Sequence, residues 1–303
     1  MKLWNHYHCP ASIDEALALL AQYDGNARVI AGGTDLLLDL KQAHMPPVEA
    51  LIDVTRIDDL RTFEDDGTWV TLGAAITHTE LVHSDLLATR ATCLVESCGV
   101  VGGPQVRNVG TLGGNVAHAL PAGDGTTSLV ALDAQAEITE NGVRHWVPIG
   151  EMYRGPGQSR IDSTRDLVIG FRFKLVGERE ATAFSRIMRP QGVALPVLGC
   201  AAWVRLDAAG ENYEDVRVCV GPVAKTPVRA DAVEIALRGN PANAETLEAA
   251  VTAAHQSLSP RTSKYRATKE YRQSMIEVLL RRVLTQAVNR AQTGEAVPVG
   301  IGE

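Results

Sequence analysis

Ala31-Gly32-Gly33-Thr34-Asp35 and, further along, Gly110-Thr111-Leu112-Gly113-Gly114-Asn115 decide the reading of this chain. Each stretch places a hydroxyl residue beside a glycine pair. The first follows Arg28-Val29-Ile30-Ala31, which reads as a buried strand, and runs into Leu36-Leu37-Leu38-Asp39-Leu40-Lys41, which reads as a helix. In a strand, glycine turn and helix, successive backbone N–H groups can point into one concavity without obstruction by Cβ. A hydroxyl adds one donor, and neutral dipoles of this kind can hold a pyrophosphate without a cationic clamp. Either pair alone is most simply a tight turn at a strand end; two in similar settings suggest one divided site. Neither fits G-x-G-x-x-G with a following acidic ribose ligand, and no G-x-x-x-x-G-K-[ST] occurs, which disfavours a Rossmann NAD site and a P-loop.

Outward from these turns, Ser12-Ile13-Asp14-Glu15 and Thr77-His78-Thr79-Glu80 are capping boxes that open helices. Leu51-Val54 and Trp69-Leu72 are strand candidates, and a helix is expected over Ser84 to Ser97, ending near Gly99. The glycine-dense stretch from Val100 to Gly125 reads as loop and short strand with many positive-φ positions, and such a stretch is usually functional. Arg107 and Asn108 are expected to brace it. Asn141-Gly142 between two apolar runs signals a hairpin, with sheet continuing to about Lys174. Beyond Gly177, Leu198–Leu206 and the alternation around Val216, Val218 and Val220 suggest a one-sided antiparallel sheet, followed by helices near 230–237, 244–255 and 270–291. A domain boundary is placed near residues 175–182.

The chain has 303 residues, 45% hydrophobic and 21% charged, enough for two cored domains, and its net charge of -7 with interspersed signs carries no footprint for nucleic acid or an anionic membrane. No apolar run approaches the roughly 20 residues of a membrane span, and the N-terminus lacks a signal-peptide core, so a cytoplasmic protein is expected. Cys9, Cys93, Cys98, Cys200 and Cys219 are scattered without metal or cluster spacing. His6-Tyr7-His8 has no second ligand cluster, so no metal is expected. Asp35 is read as a cap and turn residue, and His118 as a loop residue near the second turn.

Taken together, Ala31–Leu37, Gln105-Val106-Arg107-Asn108-Val109-Gly110-Thr111-Leu112-Gly113-Gly114-Asn115 and Pro121-Ala122-Gly123-Asp124 closely resemble the FAD-binding subunit of the xanthine dehydrogenase and carbon monoxide dehydrogenase family. Lys264-Tyr265-Arg266-Ala267-Thr268-Lys269-Glu270-Tyr271-Arg272 resembles the family's C-terminal domain, so the likeness covers nearly the whole chain. The resemblance implies an α+β protein: a p-cresol-methylhydroxylase-type FAD-binding domain of two α/β subdomains over residues 1–177, a smaller α+β domain of antiparallel sheet plus helices over 178–290, and a tail over 291–303. It also implies that Val29, Ile30, Ala31, Gly32, Gly33, Thr34, Asp35 and Leu36, with Thr111, Leu112, Gly113, Gly114 and Asn115, line the pyrophosphate and ribityl chain of a non-covalent FAD. Asp124 would hydrogen-bond the cofactor, Val101 would make an apolar contact to the nucleotide, and Leu167 or Val168 would lie near the flavin ring. Two departures stand out. Arg186 replaces the family's commoner lysine, and Arg189 to Leu195 differs from its usual arginine pair and acidic residue.

The implied role is electron transfer, with no catalytic residue on this chain. Substrate would be oxidised at a molybdenum cofactor in a large partner subunit, and electrons would pass through a small [2Fe-2S] subunit to FAD and an external acceptor. A dimer of heterotrimers is expected. The competing readings are a stand-alone flavin oxidase or reductase of the same fold and a cofactor-free assembly protein.

Overall fold

The computed structural model describes residues 2–189, 195–264 and 266–300. Residues 190–194, part of the second departure, and Tyr265 of the C-terminal motif lie outside the described residues. β1 (His6–His8), β2 (Ala27–Ile30) and β3 (Ala50–Asp53) form a parallel sheet in the order β1-β3-β2. Parallel neighbours need crossover connections, and α1 (Ile13–Gln22) and α2 (Leu36–Lys41) lie in them. α1 begins where Ser12 accepts from the Glu15 amide, and it buries Ile13, Ala16 and Leu20 at helical spacing. The Glu15 carboxylate passes the cap and accepts from the Ala11 amide at 2.7 Å, so only half of the expected capping box forms.

The next segment runs β4 (Phe63–Asp65), β5 (Trp69–Gly73), α3 (His78–Val82), α4 (Asp85–Arg90), α5 (Thr92–Gly99), α6 (Pro104–Arg107), α7 (Leu112–Ala117) and α8 (Asp124–Ala131). It continues through β6 (Gln135–Glu140), β7 (Val143–Pro148), the small β8 (Tyr153–Gly155) and β9 (Gln158–Ser159) pair, and β10 (Val168–Lys174). The antiparallel sheet is ordered β4-β5-β10-β6-β7. Asn141 and Gly142 take φ of 54° and 79° between β6 and β7, the turn that their sequence demands. Both halves of the Thr77–Glu80 capping box form at α3.

The single helix expected over Ser84–Ser97 is two, broken at Ala91 (φ -154°, ψ 45°). The Cys93 amide, which a continuous helix would use internally, donates instead to the buried Thr182 hydroxyl at 3.0 Å. The glycine-dense stretch is also not loop and strand: it holds α6, α7 and the start of α8, and only Gly102 and Ala119 in it have positive φ. Its glycines mostly serve close approach. A Cβ on Gly113 would lie 2.5 Å from the Ala74 carbonyl oxygen, and one on Gly110 2.9 Å from that of Val106.

β11 (Glu180–Met188), β12 (Pro196–Leu206), β13 (Tyr213–Gly221) and β14 (Val228–Arg229) form the third, antiparallel sheet in sequence order, with α9 (Asp231–Leu237), α10 (Ala244–Ser257) and α11 (Lys269–Thr293). The expectation of a one-sided sheet fails, because β12 is buried along almost its whole length. Cys200, Ala202, Val204, Val216 and Val218 pack into a core with α11, whereas Phe184, Ala201 and Cys219 join the core of the preceding sheet. α5 and α8 fill the layer between, buried at every position. α8 tolerates this despite three hydroxyl residues, since Ser128 donates to the Cys93 carbonyl, Thr127 to that of Gly123, and Thr126 to Asn115 Oδ1.

Candidate functional site

The two glycine turns meet. A Cβ on Gly32 would overlap the Val109 carbonyl, so the turn at the end of β2 sits directly on the backbone that leads into the second turn. Gly33 takes φ +67°, which glycine adopts without strain. Among the described residues, none of the backbone N–H groups from Gly32 to Leu36 donates a hydrogen bond, and the Leu37 amide is the first to do so, to Gly33. That run of unanswered donors fits the phosphates of a dinucleotide-type cofactor. Below the run, Ile30 and Leu36 pack in one small core and Val29 and Ala31 against another, so these four support the turn from beneath. Asp35 makes no side-chain cap, contrary to expectation. Its carboxylate lies 3.7 Å from His118 Nε2, at the far end of α7, and ties the turns together.

In the second turn Thr111 caps α7, its hydroxyl accepting from the Gly114 amide at 3.0 Å. The Leu112 and Gly113 amides donate to Ile76 and Ala74, anchoring the turn on the end of β5, and Leu112 is fully buried. The glycine pair thus divides. Gly113 is buried against Ala74, whereas Gly114 is exposed and a Cβ there would meet only Thr111 Oγ1, at 3.1 Å. His78 supports this turn, and sequence reasoning had seen it only as part of a capping box. Its amide donates to Gly110, its ring is 2% exposed, and its Nδ1 has no partner. Burial, aided by the Arg107 charge, depresses its pKa to about 4, so it stands as a neutral imidazole. Arg107 and Asn108 brace the loop as expected, Arg107 donating to the Val101 and Gly102 carbonyls and Asn108 accepting from Thr79.

Asp124 opens α8 but does not cap it. It pairs instead with Arg186 of β11 at 2.7 Å, both nearly buried. Burial pushes the Asp124 carboxyl up to about 7 against the opposing pull of Arg186. The pair borders a cavity of about 90 Å³ lined also by Val101 and Gly102 between α5 and α6, by Asn115 of α7, and by Pro196 of β12 with the preceding Leu195. Val101, Asn115, Asp124 and Arg186, picked from distant parts of the sequence, therefore share one site on the seam. Leu167 and Val168 do not reach it: their side chains pack in the cores on either side of β10. A larger cavity of about 410 Å³, near Trp4 and Tyr23, is lined by none of the expected site residues. Thr126 and Tyr153, whose hydroxyls link at 3.0 Å behind Asn115, were not foreseen as site supports, and nothing local in the sequence marks them.

The family described as the FAD binding domain in molybdopterin dehydrogenase matches residues 2–173, and the CO dehydrogenase flavoprotein C-terminal domain matches residues 182–287. The chain is 32% identical over 289 residues to the xanthine dehydrogenase FAD-binding subunit of Escherichia coli O157:H7, covering 94% of this chain and 96% of that one. It is 29% identical to the carbon monoxide dehydrogenase medium chain of Hydrogenophaga pseudoflava, covering 93% and 96%. A solved carbon monoxide dehydrogenase from H. pseudoflava, lacking the Mo-pyranopterin moiety of the molybdenum cofactor, superposes with a TM-score of 0.88 over 96% of this chain and 99% of that one, at 29% identity. Among the described residues no helix is long and apolar enough to cross a membrane. The two joined glycine turns, the seam above them and these matches agree: the chain belongs to the molybdenum-hydroxylase flavoprotein family, as an FAD-binding subunit of the xanthine dehydrogenase and carbon monoxide dehydrogenase kind.

Proposed function

We propose that this chain relays electrons from [2Fe-2S] clusters of a small partner subunit to an external acceptor, while a large molybdenum-cofactor subunit oxidises the substrate. The observation that carries this reading is the run of unanswered amides from Gly32 to Leu36 joined to α7 and to the Asp124–Arg186 seam. FAD, when bound, supplies the conversion between one- and two-electron chemistry. The residues of this chain bind and orient. The Gly32–Leu36 amides and the exposed face at Gly114 hold phosphate oxygens, with Val29, Ile30, Ala31 and Leu36 setting the turn and Thr111, Leu112 and Gly113 setting α7. Asn115, Val101, Asp124 and Arg186 contact the cofactor at the seam, and Leu167 and Val168 position β10 behind it. We assign residues 1–177 to the FAD-binding domain, 178–290 to the C-terminal domain and 291–303 to a tail, in a dimer of heterotrimers located in the cytoplasm.

The test is equilibrium FAD binding by the purified chain. About one FAD per chain should bind and be released by acid, since binding through backbone dipoles needs no covalent bond. Asp124→Ala should weaken binding about tenfold or more, the worth of one charged hydrogen bond. In the double variant Asp124→Ala/Arg186→Met, apoprotein stability should recover while affinity does not. A chain that takes up no FAD, or a double variant with wild-type affinity, overturns the assignment.

A further inference from the structure

The buried Asp124–Arg186 pair is tied to the surface through a sulfur atom. Arg186 gives Nη1 to Asp124 at 2.7 Å and Nη2 to Met188 Sδ at 3.0 Å, and its buried Nε has no hydrogen-bond partner. The Arg186 side chain is 9% exposed, whereas Met188, two residues on in β11, is 43% exposed. Met188 stands opposite Pro196 of β12, and Pro196 lines the same cavity as Arg186 and Asp124. The other described methionines are placed differently. Met152 is fully buried in a core, and Met45 and Met275 pack half-buried against cores.

A thioether sulfur is a weak acceptor, so Nη2 is poorly satisfied and Nε is not satisfied at all, and a buried donor left unmade costs free energy. Oxidation at sulfur changes this balance. Attack of the sulfur lone pair on one oxygen of hydrogen peroxide forms an S–O bond and breaks the O–O bond; the leaving hydroxide takes the proton of the transferred oxygen and departs as water. The sulfur loses two electrons and the peroxide gains them. The sulfoxide is polar, and its oxygen is a stronger acceptor for a guanidinium than the thioether was. An N–H···O bond needs about 2.9 Å between nitrogen and oxygen, so the new oxygen does not fit into a 3.0 Å sulfur–nitrogen contact without movement. Met188 holds the exposed end of that contact, and the guanidinium is a rigid planar fork, so a pull on Nη2 turns Nη1 away from Asp124.

We propose that Met188 is a peroxide-sensitive modification site, whose conversion to the sulfoxide draws Arg186 off Asp124 and lowers the affinity of the seam for FAD. The link to FAD rests on the reading of the chain as FAD-bearing, with Asp124 and Arg186 at the cofactor. When dioxygen is the external acceptor, two electrons and two protons convert it to hydrogen peroxide, so the oxidant is then a product of the relay itself. Methionine sulfoxide reductases return the thioether, which makes the change reversible.

Treatment of the purified full chain with dilute hydrogen peroxide before FAD is added, followed by peptide mass mapping and equilibrium FAD binding, tests it. The Met188 peptide should gain one oxygen before those of Met45, Met152 and Met275. The FAD dissociation constant should rise about tenfold, as expected for loss of one charge-assisted hydrogen bond, and fall again after treatment with methionine sulfoxide reductases. Met188→Leu should bind FAD nearly as tightly as wild type and keep that affinity after peroxide. Met188→Gln, whose amide oxygen imitates the sulfoxide, should weaken FAD binding with no peroxide present. In the Asp124→Ala/Arg186→Met background neither Met188→Gln nor peroxide should change the affinity, which separates an effect through Arg186 from a general loss of structure. The apoprotein melting temperature reads the same shift without FAD: oxidation should lower it in wild type and leave it unchanged in that background. Oxidised Met188 beside wild-type affinity, equal weakening in the background without Arg186, or a Met188 that stays unoxidised while Met45 and Met275 react would each overturn the proposal. A chain that takes up no FAD at all sinks the functional reading, and the melting result still decides the modification site.

Discussion

His78 shows at the scale of one residue how burial fixes chemistry. Its imidazole lies under Gly110 with Arg107 nearby, and both burial and that charge favour the neutral form, so its pKa falls from 6.5 to about 4. The folded protein then binds fewer protons here than the unfolded chain between these values. The associated stability is complete above pH 6.5 and is lost as pH falls towards 4, by about 3 kcal/mol at roughly 1.4 kcal/mol per unit. Asp124, raised to about 7, acts with the opposite sign over an overlapping range. The informative quantity is therefore a difference: the stability of His78→Gln relative to wild type, followed by urea denaturation of the apoprotein, should improve as pH drops from 6.5 to 4. A difference that does not change with pH would show that His78 titrates normally.

At the scale of elements, the glycine pairs of the two turns separate packing from binding. Gly113 is pressed against Ala74, so Gly113→Ala should destabilise the apoprotein by about 1–3 kcal/mol through overpacking against backbone. Gly114 faces outward with only Thr111 nearby, so Gly114→Val should leave apoprotein melting nearly intact and weaken FAD binding about tenfold or more. Gly142 serves as the control, with φ +79° and open space around it. Gly142→Val should cost stability by backbone strain and leave FAD affinity unchanged. Melting temperature and FAD dissociation constant, measured for all three, separate these roles, and equal affinity for Gly114→Val and wild type would move Gly114 out of the site.

The whole molecule is held across the seam by a buried ion pair. Glu96 of α5 and Arg290 of α11 meet at 2.6 Å, 1% and 4% exposed. Arg290 also donates to the Thr182 and Val297 carbonyls, and the Glu96 carboxylate accepts from the Phe184 and Val299 amides. Helix α5, the third sheet, the last helix and the residues after it therefore share one knot. Burial raises the Glu96 pKa despite Arg290, which is the desolvation cost of the arrangement. Arg290→Met should cost about 3–5 kcal/mol by stranding the carboxylate, and adding Glu96→Leu should recover much of it. In denaturant, Trp69 and Trp146 report on the β4-β5-β10-β6-β7 sheet and Trp203 on the third sheet. The Arg290→Met variant should unfold in two separated transitions where wild type unfolds in one; coincident transitions in the variant would show that the cores hold together without the knot.

The sequence by itself determined the local turns and their order. Asn141-Gly142 can scarcely do other than close a hairpin, Thr77 and Glu80 satisfy each other's amides, and the motifs from Ala31 to Asp124 mark the family by their order and spacing. Only the tertiary structure decided what these glycines are for. Close approach of Gly32 to Val109 and of Gly113 to Ala74 depends on backbone distant in sequence, so a reading by φ alone mistook short helices for loop. The same holds for the third sheet. Its second apolar face is covered by α5 and α8, and a sequence pattern records which residues alternate but not what lies across the other face. Arg272 and Arg290 look like solvated helix residues in sequence and are buried donors in the fold, because whether a charge meets water depends on packing between elements that local sequence does not encode.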